Sequence, residues 1–124
     1  MTQTSKHTSS KLFKDPVQFS YNRYDNILPY EYSMVTLGPD NSDPSNYINA
    51  NFISTVVKDY NFIATQGPLT TTVTNFWKMI EQNDVNIIMM FCNLEEKNKV
   101  KCFKYWPSKD VEGGILSLSS DFTV

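Results

Sequence analysis

Two strand-like stretches, YINANFI at residues 47–53 and YNFIAT at residues 60–65, decide the fold of this chain. Both are rich in aromatic and β-branched residues, which favour a pleated and partly buried backbone. A polar stretch around Lys58-Asp59 separates them. The pattern predicts a pair of strands, and the rest of the chain can be placed around that pair.

An amphipathic helix is predicted after Gly67-Pro68, which interrupts the strand pattern. Apolar residues then recur at i, i+3, i+4 and i+7, the spacing of one helical face. They are Val73, Phe76, Trp77 and Ile80. Thr70 or Thr71 is available as the N-cap. The helix is expected to bury this face, with Phe76 and Trp77 in the core.

Three further strands are predicted after the helix. Residues 86–91 are a short and almost entirely apolar run, typical of a strand covered on both faces, so this strand is expected to be central. Residues 100–106 and 115–118 are weaker strand candidates on either side of a turn region with Gly113-Gly114. One strong helix for several strands predicts an α/β (α+β) fold with few covering helices.

The composition is that of one ordinary domain. The chain has 124 residues, of which 40% are hydrophobic and 19% charged, close to the average soluble protein. A net charge of −2 offers no basic stripe for nucleic acid. The apolar runs are too short for a membrane span, and the first residues lack the apolar core of a signal peptide. Neither nucleic acid nor a membrane is therefore an expected partner, and the expected location is cytoplasmic.

Two segments are predicted to lack regular structure. Residues 1–12 are polar except for Met1 and Leu12, and are expected to be a disordered tail that precedes a domain of residues 13–124. Residues 38–46 concentrate the turn-forming residues Gly, Pro, Asn, Asp and Ser. That segment is expected to be a surface loop inside the domain.

The cysteines suggest packing rather than chemistry. Cys92 and Cys102 both have apolar or aromatic neighbours in the sequence and are expected to be small buried residues. No pair of His or Cys has metal-binding spacing, and no glycine-rich loop ends in Lys-Ser or Lys-Thr. Neither a metal nor another cofactor is predicted.

Five groups of short motifs follow one another along the chain. They are Asn22-Arg23-Tyr24 with Ile27-Leu28-Pro29-Tyr30, Asn46-Tyr47-Ile48-Asn49-Ala50, Thr65-Gln66-Gly67-Pro68-Leu69, Phe76-Trp77-Lys78-Met79, and Lys101-Cys102-Phe103-Lys104-Tyr105-Trp106-Pro107. In order and in spacing they resemble the motifs of the classical, tyrosine-specific protein phosphatases. The resemblance covers nearly the whole chain. It implies the N-terminal half of a phosphatase domain, with a partial phosphatase fold built on a mixed, twisted sheet.

The resemblance also implies a substrate-binding loop that contains Tyr24, Asp25 and Asn26. In the family, the tyrosine that matches Tyr24 lines a deep slot for the phenyl ring of the substrate. Asn26 stands where the family usually has an aspartate that accepts peptide N–H groups, and an uncharged amide accepts them with roughly half the strength. Asp25 stands where the family often has a basic residue, and is expected to disfavour acidic peptides.

Five other residues match family positions with supporting roles. Arg23, Asn49 and Gln66 match positions that brace the recognition loop and the neighbouring strands. Glu96 matches a glutamate that pairs with the phosphate-binding arginine, and Lys101 matches a lysine that approaches the loop with the general acid. The family partners of Glu96 and Lys101 have no counterpart in this sequence.

No residue of the chain is predicted to be catalytic. The family hydrolyses phosphotyrosine with a cysteine thiolate and an arginine six residues further on. Arg23 is the only arginine here and precedes both cysteines, and the residues six positions after Cys92 and Cys102 are Asn98 and Ser108. Trp106-Pro107 is followed by Ser108 instead of an acid, so it does not supply the general acid either.

Two functions remain open at this point. In the first, the chain is the recognition and scaffold half of a phosphatase domain, which a complementing C-terminal half would complete. In the second, it is a non-catalytic interaction protein that binds phosphotyrosine partners. Binding to phosphotyrosine-containing proteins is expected to be weak in either case, because the phosphate-binding loop is lacking.

Overall fold

The computed structural model describes residues 16–38, 46–56, 61–108, 117–119 and 122–123. The predicted tail at residues 1–12, residues 39–45 of the predicted loop and the turn at Gly113-Gly114 lie outside the described residues. The described residues form strands and few helices, so the expected α/β (α+β) class is confirmed. Every strand pair among them is antiparallel, in place of the mixed sheet that the resemblance implied.

A three-stranded antiparallel sheet lies at the centre of the described structure. Its strands are β1 (Met34–Thr36), β2 (Tyr47–Ser54) and β3 (Asn61–Thr65), in the order β1-β2-β3. The pairing of β2 with β3 confirms the two predicted strands, with Ala50 opposite Thr65 and Ser54 opposite Asn61. A short helix α1 (Pro16–Ser20) and a 3₁₀ turn at Glu31–Ser33 precede the sheet.

The predicted helix is confirmed as α2 (Val73–Gln82). The predicted N-cap is wrong, because the helix begins after Thr72 rather than after Thr70 or Thr71. The Thr72 hydroxyl does not cap the helix. It accepts a hydrogen bond of 2.9 Å from the backbone N–H of Leu69 and so closes the preceding turn. The Thr72 side-chain oxygen therefore stabilises the preceding turn instead of the helix N-terminus, where a threonine oxygen commonly accepts a hydrogen bond.

The core lies between α2, the sheet and the chain around Tyr105. Its buried apolar residues are Val35, Leu37, Ile48, Ala50, Val73, Phe76, Met79, Cys102 and Tyr105. Trp77 and Ile80 pack against this cluster while half-buried, and the Trp77 indole N–H donates to the Tyr105 carbonyl at 2.9 Å. The rings of Phe76 and Tyr105 lie 4.8 Å apart. Burial of one such side chain stabilises the fold by about 1.5–3 kcal/mol.

The predicted central strand at residues 86–91 is wrong. The segment forms no strand, and Ile87 is 77% and Phe91 91% exposed. A strand requires a neighbour that accepts and donates its backbone hydrogen bonds. None of the residues that the structure describes pairs with this run. Apolar character indicated a segment that is suited to burial, but it did not specify what would cover it.

A short hairpin follows, with β4 (Glu95–Glu96) paired to β5 (Lys99–Val100). The strand predicted over residues 100–106 ends at its first residue. Lys101 and Cys102 both donate their N–H groups to the Leu94 carbonyl, at 2.8 and 3.3 Å, and this convergence interrupts the ladder.

A last hairpin pairs β6 (Ser117–Ser119) with β7 (Phe122–Thr123). It overlaps the strand predicted at residues 115–118, of which the first two residues lie outside the described part. β6 lies beside α2.

Candidate recognition site

The segment from Tyr21 to Ile27 is tied to β2 by a buried network of side chains. The Asn22 side-chain oxygen accepts hydrogen bonds from the Tyr47 hydroxyl at 2.6 Å and from the Asn49 amide at 2.9 Å. The Asn49 amide also donates to the Ile27 carbonyl at 2.8 Å. β2 therefore fixes both ends of this segment.

Burial holds Tyr47 in its neutral form. Burial raises the pKa of the Tyr47 phenol to about 12, and the hydrogen bond to Asn22 lowers it by a smaller amount. A neutral phenol can donate the proton of that hydrogen bond at any ordinary pH. The Asn22 oxygen is thus satisfied by two donors inside the core.

Arg23 anchors the same segment from the other side. Its guanidinium donates to three backbone carbonyls: Gly67 at 3.0 Å, Pro68 at 2.6 Å and Val100 at 3.0 Å. The forked array of N–H donors in arginine suits such convergent acceptors, whereas a lysine offers a single ammonium. The three contacts join Tyr21–Ile27 to the turn after β3 and to β5.

The Gln66 side chain binds two backbone groups of the segment Tyr21–Ile27. Its side-chain oxygen accepts the Arg23 backbone N–H at 2.8 Å, and its amide donates to the Tyr21 carbonyl at 2.8 Å. The neighbouring Gly67 allows close approach, since a Cβ at this position would lie 2.4 Å from the Lys101 carbonyl oxygen. Only a glycine permits this packing of two backbones without a shift.

Tyr24 and Lys101 meet at the surface of this braced segment. The Lys101 ammonium donates to the Tyr24 hydroxyl at 2.9 Å and lies 5.5 Å from the centre of its ring. The hydrogen bond to Tyr24 and then the charge interaction with it raise the pKa of Lys101, and Glu96 adds to the rise. The Tyr24 ring remains 45% exposed. The arrangement offers an accessible aromatic face beside a positive charge.

The other predicted site residues lie around this pair. Asp25 and Asn26 are exposed in a turn that is closed by the Ile27 N–H on the Tyr24 carbonyl at 3.1 Å. Glu96 is exposed in β4, and its carboxylate accepts the Asn93 N–H at 3.2 Å. Neither Asp25 nor Asn26 is part of the network that fixes Tyr21–Ile27.

Sequence reasoning missed the central roles of Asn22 and Tyr47. Asn22 is the first residue of a motif, and Tyr47 is the first residue of a predicted strand. Neither position specifies a hydrogen-bond partner. A polar residue within an otherwise apolar strand indicates a buried hydrogen bond, because a buried amide or phenol needs a hydrogen-bond partner. This pattern does not identify Asn22 as that partner.

The thiol nearest the site is shielded. Cys102 is 2% exposed, and its thiol interacts with the Phe103 carbonyl at 3.3 Å. Burial raises the pKa of the Cys102 thiol. A protonated, buried thiol is a poor nucleophile toward a substrate that arrives from solution.

Metal binding and insertion into a membrane are two other classes of function. In the described residues, no group of three or more His, Cys, Asp or Glu side chains is placed to hold a metal ion. Among the helices of those residues, none is long and apolar enough to cross a membrane.

Two curated relatives of this chain are receptor-type tyrosine-protein phosphatases. The chain is 46% identical over 92 residues to receptor-type tyrosine-protein phosphatase F of Danio rerio, covering 73% of this chain and 5% of that protein. It is 47% identical over 106 residues to receptor-type tyrosine-protein phosphatase alpha of Homo sapiens, covering 83% of this chain and 13% of that protein.

Solved structures agree. The catalytic domain of human protein tyrosine phosphatase non-receptor type 18 matches with a TM-score of 0.75 and 34% identity, over 84% of this chain and 37% of that one. PTPN18 in complex with HER2 phosphopeptides matches with a TM-score of 0.77 and 34% identity, over 88% of this chain and 37% of that one. The chain thus spans little more than a third of these solved chains.

The family model for protein-tyrosine phosphatase matches residues 18–119. These residues include all five groups of motifs that suggested the resemblance, and the partial phosphatase fold is confirmed. The chain belongs to the protein-tyrosine phosphatase family.

Proposed function

We propose that this chain is the substrate-recognition and scaffold part of a tyrosine phosphatase domain, and that it does not hydrolyse phosphotyrosine by itself. The observation that carries the proposal is the exposed Tyr24 ring on a segment that Arg23, Gln66 and Asn49 hold in place. A rigid aromatic wall can stack against the phenyl ring of a substrate with little loss of entropy on binding. PTPN18, a solved relative, is described in complex with phosphopeptides.

The absence of turnover follows from the residues that the chain contains. Arg23 is its single arginine, and that guanidinium is committed to three backbone carbonyls. Three of its five N–H donors are therefore used to brace the backbone rather than to hold a phosphate. Neither cysteine is followed by an arginine at the sixth position. The chain accordingly lacks both the phosphate grip and an activated thiolate.

Hydrolysis of para-nitrophenyl phosphate by the purified chain tests this part. We expect no release of nitrophenol above a buffer blank at any pH from about 5 to 8. Catalytic acids and bases commonly titrate within this range of pH. The double variant Cys92→Ser/Cys102→Ser serves as the control. A rate that persists through a second purification step would contradict the proposal.

Binding of a phosphotyrosine peptide tests the recognition role. We expect weak binding, with a Kd of about 0.1–1 mM, that exceeds binding of the unphosphorylated peptide. Tyr24→Ala removes the aromatic wall and should weaken binding by roughly 3–10-fold, since ring stacking contributes about 0.5–1.5 kcal/mol. Isothermal titration or a fluorescence anisotropy titration gives the affinities.

Tyr32→Ala is the matched control, because Tyr32 is also an exposed tyrosine but takes no part in the contacts of Tyr24 with Lys101. It should leave the affinity unchanged. Equal binding of the phosphorylated and unphosphorylated peptides would overturn the recognition role. So would an equal loss in the Tyr24→Ala and Tyr32→Ala variants.

A complementing C-terminal phosphatase half is the partner that we propose for residues 86–91. These residues carry the exposed apolar side chains of Ile87, Met89 and Phe91 and make no ladder within the described structure. The solved relatives extend well beyond the matched region. A strand from that remainder would satisfy the backbone of the run and cover its side chains.

Co-expression tests this partnership. We expect the chain to co-purify with the remainder of the catalytic domain of human receptor-type tyrosine-protein phosphatase alpha, expressed without the segment that matches this chain. Met89→Glu places a charge in the proposed contact and should abolish co-purification. Val56→Glu changes a fully exposed apolar residue outside residues 86–91 and should have no effect. Loss of co-purification in both variants, or in neither, would argue against this contact.

The alternative function is a self-sufficient, non-catalytic interaction protein that binds phosphotyrosine partners in the cytoplasm. The exposed run at residues 86–91 argues for the first proposal, since an isolated chain with this apolar surface is expected to be marginally stable and prone to aggregate. Analytical ultracentrifugation and a thermal scan distinguish the two. A monodisperse monomer with one cooperative transition would favour the alternative.

A further inference from the structure

Cys92 and Cys102 lie on the two chain segments that enter and leave the β4–β5 hairpin. The Leu94 carbonyl accepts both the Lys101 N–H at 2.8 Å and the Cys102 N–H at 3.3 Å, so these segments run side by side beyond the paired residues. Both cysteines are free thiols. Cys102 belongs to the buried core cluster, and Cys92 packs against the same cluster.

The two thiols share one part of the core, because Cys92 packs against the buried cluster that contains both Cys102 and Tyr105. Burial raises the pKa of the Cys102 thiol, and a charge interaction and a side-chain hydrogen bond with Cys92 raise it further. Burial and then both cysteines raise the pKa of the Tyr105 phenol, in agreement with that packing. A disulfide needs two sulfurs that already face one another, because larger separations require the backbone to move.

The two cysteines differ in access to solvent. Cys102 is 2% exposed, whereas Cys92 is partly exposed at the edge of the core. Peroxide therefore reaches Cys92 first, and Cys102 stands behind it as the second thiol. A second thiol close to an accessible cysteine can react with the sulfenic acid that forms on that cysteine. The resulting disulfide protects the sulfur from further oxidation.

We propose that Cys92 and Cys102 form a reversible intramolecular disulfide when the protein meets hydrogen peroxide. The Cys92 thiol gives up its proton, and its sulfur attacks one peroxide oxygen; the O–O bond breaks, the departing hydroxide takes up that proton and leaves as water, and Cys92 becomes a sulfenic acid. The Cys102 sulfur then attacks the Cys92 sulfur, the S–O bond breaks, and the hydroxide leaves with the proton of Cys102 as a second water. Two thiols are oxidised, and one peroxide is reduced to two waters.

The disulfide would close a short ring that contains the whole β4–β5 hairpin. It would also fix the residue after Lys101, whose side chain contacts Tyr24. A ring of this size restricts the unfolded chain, so the thermal midpoint is expected to rise by roughly 5 °C or more on oxidation. The proposal does not depend on substrate recognition, because thiol chemistry and the thermal midpoint are measured without a ligand.

The test is mass spectrometry of the full chain after treatment with hydrogen peroxide and blocking of the remaining thiols with N-ethylmaleimide in denaturant. We expect a monomer without maleimide adducts that is lighter by two hydrogen atoms. Dithiothreitol should return it to a species that takes up two adducts. The same reaction in concentrated urea should be slower by roughly tenfold, because the native contact between the thiols is lost there.

Two variants keep the proposal falsifiable. In Cys102→Ala, Cys92 has no second thiol and should accumulate as a sulfenic acid that dimedone labels. In Cys92→Ser, the buried Cys102 should remain unmodified and take up one maleimide. The proposal is overturned if wild-type Cys92 proceeds to sulfinic acid while Cys102 stays free. Disulfide-linked dimers, or equal rates in buffer and urea, overturn it as well.

Discussion

A polar and aromatic region of this chain and an apolar region have opposite outcomes. The segment Tyr21–Ile27 is tied to β2 and to the turn after β3 by Asn22, Arg23, Asn49 and Gln66. Residues 86–91, the most apolar run of the sequence, form no strand and are largely exposed. The difference lies in the partners. The first region finds every partner inside the described structure, whereas the second does not.

The energetic penalty of an unsatisfied buried polar group shows how large this contrast is. Among the described residues, no buried side-chain nitrogen or oxygen lacks a hydrogen-bond partner. A single unsatisfied group of this kind would destabilise the fold by about 1–3 kcal/mol. The braced segment is therefore complete as it stands. The exposed run has no such requirement for its side chains, and its apolar surface remains available to another polypeptide.

Matched phenylalanine truncations give the largest expected difference. Phe76 is 3% exposed and touches the Tyr105 ring, so Phe76→Ala should reduce the free energy of unfolding by about 3–5 kcal/mol. A loss of this size removes most of the stability of a small domain. Phe91 is 91% exposed, and Phe91→Ala should change the stability by less than about 0.5 kcal/mol.

Urea denaturation followed by circular dichroism measures both variants. Phe76→Ala is expected to be unfolded in buffer or to unfold at a much lower urea concentration, while Phe91→Ala retains the wild-type midpoint. Comparable losses in the two variants would show that residues 86–91 are buried in the isolated chain. The comparison between the two regions would then fail.

A matched pair of glycines gives the next effect. An alanine at Gly67 would place its Cβ 2.4 Å from the Lys101 carbonyl oxygen and 3.1 Å from Cys102 Cβ. Backbone must shift to relieve this clash, so Gly67→Ala should destabilise the chain by about 3 kcal/mol. Gly38→Ala meets only the end of the Gln82 side chain, at 3.2 Å, and should cost less than about 1 kcal/mol.

Denaturation midpoints of the two glycine variants check this prediction. Equal midpoints would show that the turn at Gly67 can move away from residues 101 and 102. The bracing by Arg23 would then be looser than its three hydrogen bonds indicate.

The sequence predicts local structure well and partnerships poorly. The helical spacing of Val73, Phe76 and Ile80 and the composition of residues 47–53 and 60–65 depend on neighbouring residues alone, and both predictions are confirmed. The strand at residues 86–91 is wrong because strand formation depends on a neighbour that the run cannot specify.

The candidate site shows the same limit. The resemblance identified Arg23, Asn49, Gln66 and Lys101 by position, and their contacts are now known, but their roles in recognition stay predictions. The meeting of Lys101 with Tyr24 joins residues far apart in sequence. No periodicity reports such a contact, because it depends on the path of the chain between the two residues.

Alkaline pH probes the buried network through Tyr47. Its folded-state pKa is raised to about 12 from an ordinary value of 10.0, so the folded chain holds this proton more tightly than the unfolded chain. The associated stability is complete below pH 10.0 and is lost as the pH rises through about 12. The loss should be about 2 kcal/mol.

Urea midpoints measured from pH 9 to pH 12, about the range in which tyrosines titrate, show this loss. Tyr47→Phe should be less stable at neutral pH, because it lacks the hydrogen bond to Asn22, and its midpoint should fall less steeply with pH. The same slope in the wild type and the variant would assign the alkaline loss to other groups, such as Tyr105, whose pKa burial also raises.

The smallest expected effect concerns the hairpin that lies between the two regions. Lys97 and Asn98 connect β4 to β5 with φ angles of 49° and 59°, a left-handed pair that a non-glycine residue adopts at some energetic penalty. Lys97→Gly should therefore stabilise the chain by about 0.5 kcal/mol, and Lys97→Val should destabilise it, because a β-branched side chain tolerates this conformation least. Chemical denaturation of both variants decides the sign. A gain in stability with Lys97→Val would show that the turn relaxes out of the left-handed region. The hairpin, whose Val100 carbonyl accepts a hydrogen bond from Arg23, would then be flexible rather than fixed.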